Sequence, residues 1–206
     1  MKPILKEYGF RLKKETLSEN FQNILLKLQP LVSPIRTKFL FIPTNSNWTA
    51  FLDNGWQGTD ASTPIQVLSE RLKCKGLAIT AVPHTMPSKV KSDTKGRYGA
   101  TIMEVYGPDG NFIRTIYSSN NGGKWVFGAS GDPFNFEDLK TYKAKKIRDR
   151  FTPEILEKYL KELGIDAFNE DFYLSNRSIM FIKEGTLPAN FKEYTLREVR
   201  IAMGED

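Results

Sequence analysis

Tyr98-Gly-Ala-Thr-Ile-Met-Glu-Val-Tyr106 and Phe112-Ile-Arg-Thr-Ile-Tyr117, joined through Gly107-Pro-Asp-Gly110, decide the fold of this chain. Both runs are rich in β-branched and aromatic residues, which suit the pleated, half-buried surface of a strand. Between them Pro108 presets φ for the first corner of a turn, and Gly110 is free to take a positive φ. The segment therefore reads as a β-hairpin. A second turn, Asn120-Asn-Gly-Gly123, leads into Trp125-Val-Phe127 and adds a third strand, making a central β-meander.

Outward from the meander the pattern alternates between helix and strand without the strict β-α-β-α order of a doubly wound sheet. Toward the N-terminus, residues 17–29 read as a helix, with Ser18 as its cap and Phe21, Ile24, Leu25 and Leu28 at helical spacing. Lys38–Ile42 and Trp48–Leu52 read as strands, and Leu77–Val82 as another. Thr63, Pro64 and Gln66 suggest a capped helix between them that ends near Lys73. Beyond the meander, helices are expected from about Phe136. Thr152-Pro153 opens one with an apolar face of Ile155, Leu156, Tyr159, Leu160 and Leu163, and Gly164 terminates it. Ser178–Ile182 reads as a buried strand. In the last segment Thr195 and Glu198 match a capping box, which favours helix over edge strand. No linker or internal repeat divides the chain. The expectation is a single α+β domain over residues 1–206, an antiparallel or mixed sheet with helices packed on one face.

Composition limits the function classes. The chain has 206 residues, 40% of them hydrophobic and 26% charged, ordinary for a globular protein. Its single cysteine, Cys74, excludes an intramolecular disulfide. The opening residues Met1 to Tyr8 hold no apolar run of signal-peptide length, and no stretch is long and apolar enough to span a membrane. A cytoplasmic location with no membrane partner is the expectation. With one His and one Cys, a zinc site of the usual nitrogen and sulfur ligands cannot be built in one chain, so neither metal nor cofactor is expected. Only a metal held by carboxylates alone stays open.

Three places could carry function. The first is Asn45–Asp60, where Trp48 and Trp56 would form a recognition surface edged by Asp53 and Asp60; the simpler account makes these turn and core residues. Trp125 is a third aromatic anchor. The second is His84, a general base if Asp53 or Asp60 shares its pocket, and otherwise a loop histidine between two prolines. Asp53, Asp60 and His84 are thus the only catalytic candidates; no G-x-S-x-G elbow or phosphate loop is present, and Gly122-Gly123 before Lys124 lacks P-loop spacing. The third is the run Lys140, Lys143, Lys145, Lys146, Arg148 and Arg150, which with Asp149 carries five of the chain's six net positive charges. Read as a helix, it packs through Ala144, Ile147 and Phe151. It is either a solvated face or a polyanion-binding element aided by Lys89, Lys91, Lys95 and Arg97. Cys74, between Lys73 and Lys75, reads as an idle thiol.

Trp48 with Asp53-Asn-Gly-x-x-Gly-Thr-Asp60, Val82-Pro-His84, Gly122-Gly-Lys-Trp125, Phe136-Glu137 with Tyr142, and Arg150-Phe-Thr152 together resemble a group of bacterial single-domain proteins of about this length that carry no assigned activity. The build is also similar to that of immunity proteins encoded beside bacterial toxins, a likeness of architecture only. The first expectation is a cytosolic protein-binding module without turnover, with exposed aromatics around Trp56 as its anchors, and the likeness to immunity proteins implies one of the toxin-neutralising kind. The alternatives are an enzyme or small-ligand binder at Asn45–Asp60 and His84, and a polyanion or nucleic-acid binder through residues 140–150.

Overall fold

In the computed structural model of the protein, residues 10–56, 61–89 and 94–205 are described. In chain order they form β1 (Arg11–Leu17), α1 (Phe21–Leu26), β2 (Leu31–Ser33), β3 (Lys38–Pro43), β4 (Thr49–Asp53), α2 (Ser62–Leu72) and β5 (Gly76–Val82). There follow β6 (Ala100–Tyr106), β7 (Phe112–Asn120), β8 (Trp125–Ser130), α3 (Pro153–Glu162), β9 (Ser178–Glu184), β10 (Lys192–Tyr194) and α4 (Leu196–Met203). The fold is α+β, and every strand pairs antiparallel, in sheets ordered β1-β9-β3-β4, β10-β2 and β5-β6-β7-β8. Within the stretch read as one domain, two compact units are distinguished. One takes residues up to 60 with Gly164–Val199, the other Ala61–Leu163 with the chain from Arg200 onward.

In the first unit, the register Leu40↔Met180 and Leu40↔Leu52 lines apolar side chains along one face of the sheet. Ile24 of α1 closes over that face in a core of Leu17, Ile24, Leu28, Leu40, Ile42 and Met180. The expected helix over 17–29 is shorter than its periodicity suggests. Leu17 is the last rung of β1, paired with Ser178, and the cap is Asn20, whose side chain accepts from Asn23 N at 2.9 Å, not Ser18. At the other end the Lys38 ammonium donates to Lys27 O at 2.7 Å and to Gln29 O, taking up free carbonyls past the helix. Strand β1 escaped the sequence reading because its charged residues, Lys13, Lys14 and Glu15, sit on an edge strand, where charge discourages further pairing.

The Asp53-Asn-Gly turn is held from within. Asn54 is fully buried; its Oδ1 accepts from Thr37 N at 2.9 Å and Lys38 N at 3.0 Å, and its Nδ2 donates to Pro30 O and Thr37 Oγ1, each at 3.0 Å. A buried amide with its donors and acceptor so used is a structural clamp.

The meander is the sheet of the second unit. Gly110 N donates to Gly107 O at 2.9 Å and Gly110 has φ +78°, the turn read from the sequence. In register, Thr101↔Ser118, Met103↔Ile116 and Val105↔Arg114 all point to one face and all are buried. That face is covered by the segment after β8: Arg114 pairs with Glu137 at 2.5 Å, Ser118 Oγ donates to Ile147 O at 3.2 Å, and Tyr142 of the same segment reaches Tyr159 of α3 at 3.4 Å. Helix α2 covers the other face at β5, where a Cβ on Gly76 would lie 2.0 Å from Ser69 Oγ. Helices thus serve both faces of this sheet, a finer division of the cover than the single face expected.

Two further helix boundaries follow from capping. Thr152 Oγ1 accepts from Ile155 N at 3.4 Å at the start of α3, and Gly164 past its end has φ +74°. Thr195 and Glu198 make the reciprocal box expected of them, with Glu198 N to Thr195 Oγ1 at 3.2 Å and Thr195 N to Glu198 Oε2 at 2.7 Å. The start of α2 departs from its expected cap: Ala61 precedes the helix and Thr63 lies inside it.

The basic run is where helix was expected and is not found. Residues 140–150 form two 3-10 turns, Thr141–Lys143 and Ile147–Asp149, separated by extended backbone at Ala144 (ψ 139°) and Lys146 (ψ 122°). Ala144 O is taken by a side chain, Arg150 Nε at 2.9 Å, while Ile147 O accepts from Arg150 N at 3.1 Å, the shorter i to i+3 bond, and from Ser118 Oγ.

Candidate functional site

Antiparallel pairing brings four strand ends together at one end of the meander. Val82 pairs with Ala100, Ala100 with Ser119, and Asn120 with Trp125. His84 leaves that end of β5, Tyr98 enters β6, and Trp125 opens β8. The rings form a contiguous row, with centroids 6.0 Å apart for Tyr98–His84 and 5.8 Å for His84–Trp125. His84 is exposed, and its neighbours are half-buried.

The row is built by its backbone. A Cβ on Gly99 would fall 2.8 Å from His84 Cβ, so only glycine lets the two chains approach this closely. Gly99 N donates to His84 Nδ1 at 3.1 Å, which leaves Nε2 to carry the proton of the neutral ring. Thr85 N and Met86 N both donate to Arg97 O, clamping the chain after His84 to the chain before Tyr98. Thr85 Oγ1 donates to Met203 O at 2.5 Å and Gly96 N to Ala202 O at 3.1 Å, which ties the same loop to the chain past Arg200.

Beside Trp125 lies an open groove of about 440 Å³, lined by Lys124, Trp125, Lys146, Ile147 and Arg148. Lys124 rides on the turn in which Asn120 Oδ1 accepts from Gly122 N at 3.1 Å and Gly123 N at 2.8 Å. Lys146 and Arg148 come from the second 3-10 turn, which Ser118 holds through Ile147 O. The lining contains three cations and no carboxylate. Arg148 has Asp149 at 3.5 Å, both side chains exposed, a contact of small energetic weight. Among the described residues neither Lys124 nor Lys146 takes part in an ion pair.

A buried polar cluster holds the chain that leads from β8 into the segment carrying the cations. Glu137 takes Arg114 Nε at 2.9 Å and Nη2 at 2.5 Å, Phe134 N at 2.9 Å and Tyr142 OH at 2.8 Å. Burial opposes the Arg114 charge, yet the Glu137 carboxylate more than offsets it and raises the guanidinium pKa. Burial, with the bonds to Tyr159 and Glu137, pushes the Tyr142 phenol far above its ordinary value. Such groups hold structure and stay in one protonation state.

The other residues singled out in the sequence fall elsewhere. The Asp53 carboxylate is 1% exposed, accepts from Gly55 N at 2.8 Å and lies 3.7 Å from Arg36 Nε, a turn residue in the first unit; His84 belongs to the second. Asp60 and Lys91 lie outside the described residues. Trp56 stacks on Tyr194 at 5.1 Å, and the Trp48 carbonyl accepts from Thr44 Oγ1 at 2.5 Å. Of the basic run, Lys140, Lys143 and Lys145 are exposed outside the groove lining, while Arg150 bonds Ala144 O and lies 5.7 Å over Phe127. Lys89 and Lys95 are exposed, and Arg97 lies 3.7 Å from Glu205. Among the described residues no three His, Cys, Asp or Glu side chains gather as a metal site, and no helix is long and apolar enough to cross a membrane.

Tyr98 and Lys124 are groove and row residues that the sequence reading did not single out. Lys124 had a signal in its place within Gly122-Gly-Lys-Trp125. Tyr98 had none, because its contact with His84 depends on strand pairing. No family model matches the chain, and neither a curated protein nor a solved structure was found similar to it.

Proposed function

We propose that the protein binds a polyanion in the groove beside Trp125. The observation that carries this reading is the lining itself: Lys124, Lys146 and Arg148 converge around one tryptophan with no carboxylate among them. Close cations of one sign raise the local concentration of anions and favour phosphate-bearing ligands. Acid–base catalysis finds less support, because the one histidine has its Nδ1 occupied by Gly99 N and no carboxylate lines the groove.

The test is binding of inorganic polyphosphate at low salt, followed by calorimetry. Reversing Lys124, Lys146 and Arg148 to Glu abolishes binding, whereas Lys140→Glu with Lys143→Glu weakens it only slightly. Equal losses in the two variants would show a diffuse charge effect and defeat the reading.

A further inference from the structure

We propose, resting on that polyanion reading, that the ligand is a single-stranded nucleic acid whose bases stack on the Tyr98–His84–Trp125 row while its phosphates follow the groove. Trp125 belongs to both features: its ring ends the row and it lines the cationic groove. Aromatic faces beside cations are the arrangement by which single strands are held without base-edge readout.

The ring spacing selects against a duplex. Successive bases along one strand of B-form DNA are about 3.4 Å apart. The rings of the row stand 5.8 Å and 6.0 Å apart, so a strand that engages two of them does so with unstacked bases. A duplex keeps its base faces buried against one another and offers only phosphates. Stacking is tolerant of base identity, so the binding is only weakly sequence-dependent.

The row is also preorganised. Gly99 admits the His84 backbone and Cβ, its amide fixes the ring through Nδ1, and the Thr85–Arg97 clamp holds both sides of the loop. An anion site working through charge alone would need none of this ordering, since lysines reach phosphates from flexible surfaces.

The experiment compares a labelled thymidine oligonucleotide, an abasic strand of the same length, the corresponding duplex and inorganic polyphosphate, measured by anisotropy or displacement. The single strand binds most tightly and quenches Trp125 fluorescence. Trp125→Ala weakens its binding about ten-fold or more, the loss of one stacked base, and weakens polyphosphate binding far less, because polyphosphate carries no base to stack. Trp125→Phe retains most of the affinity, which separates stacking from damage to the fold. With about three phosphates neutralised, the logarithm of affinity falls against the logarithm of salt with a slope of about −2. Equal binding of the oligonucleotide, the abasic strand and the duplex would overturn the stacking proposal while leaving the polyanion reading in place. Unchanged oligonucleotide affinity in Trp125→Ala would do the same. Failure of the unaltered protein to bind any of the four probes would remove both.

Discussion

Glu137→Gln tests how the segment carrying the cations is held. The Glu137 and Arg114 side chains are 0% and 3% exposed, so water screens neither charge. All four polar contacts of the carboxylate are protein groups: Arg114 Nε and Phe134 N on one oxygen, Arg114 Nη2 and Tyr142 OH on the other. Glutamine keeps one acceptor and sets an N–H₂ against Arg114 Nη2 or Nε, donor against donor. It also leaves the guanidinium buried without a counter-charge, beyond its bonds to Ser130 O at 3.0 Å and Gly131 O at 2.7 Å. Removing one partner of a buried pair costs about 3–5 kcal/mol, which lowers the folding equilibrium constant by about two to three and a half powers of ten. With a urea slope of about 1–3 kcal/mol/M, the midpoint falls by at least about 1 M. Urea unfolding followed by circular dichroism measures it. The paired apolar replacement Arg114→Met with Glu137→Leu is expected to be more stable than Glu137→Gln alone, because it strands no charge. A Glu137→Gln protein within about 1 kcal/mol of the parent would refute the reasoning, since a buried, unscreened pair cannot lose its anion so lightly.

Two further outcomes are expected. Asn54→Ala leaves Thr37 N, Lys38 N and Pro30 O without their partner in a fully buried site and costs about 3 kcal/mol or more, and Asn54→Asp, which keeps both accepted bonds but sets a buried carboxylate oxygen against Pro30 O, is also strongly destabilising; urea unfolding measures both, and an Asn54→Ala protein within about 1 kcal/mol of the parent would show the amide is not the clamp. The Tyr142 phenol has a folded pKa raised by burial, so its contribution to stability is complete below about pH 10, where the unfolded phenol ionises, and is lost as pH rises beyond it. Tyr142→Phe accordingly reduces the alkaline decline in stability and leaves the ultraviolet titration of the native protein near pH 10 unchanged, because Tyr142 does not ionise there. A native titration in which removing Tyr142 also removes an ordinary tyrosine step would contradict the burial argument.

What was legible in the sequence was what short-range chemistry decides. The Gly107–Gly110 turn, the Thr152 cap before Pro153, the Gly164 stop and the Thr195–Glu198 box all act over three or four residues, and each is found. Strand β1 was not legible, because Arg11–Leu17 owes its conformation to pairing with Ser178–Glu184, far away in sequence. The site divided along the same line. Trp125, Lys146 and Arg148 were picked out for their residue types, but their meeting with His84, Tyr98 and Lys124 depends on strand ends that only the register of the meander brings together. Asp53 accepts from Gly55 N within its turn and Trp56 stacks on Tyr194, and nothing in composition tells a stacked tryptophan from an exposed one.

The departure of residues 140–150 from helix bears directly on the groove. On an α-helix, residues two apart are separated by about 200° around the axis, so Lys146 and Arg148 would point to nearly opposite sides and no surface would see both. The extended backbone at Lys146 and the short turn after it abolish that opposition and let both side chains line one groove with Ile147 between them. That conformation is held from outside the segment, by Ser118 on the Ile147 carbonyl, Arg150 on the Ala144 carbonyl and the Arg114–Glu137–Tyr142 cluster before it. The density of positive charge in the sequence is therefore not what makes the site. Three of the six cations in the run stand in solvent outside the groove and one is spent on backbone and ring contacts, while Lys124, outside the run, completes the lining. On the proposed polyanion reading, selectivity would arise where the fold converges cations beside an aromatic ring, and the Ser118 and Arg150 bonds are what hold the segment that brings Lys146 and Arg148 there.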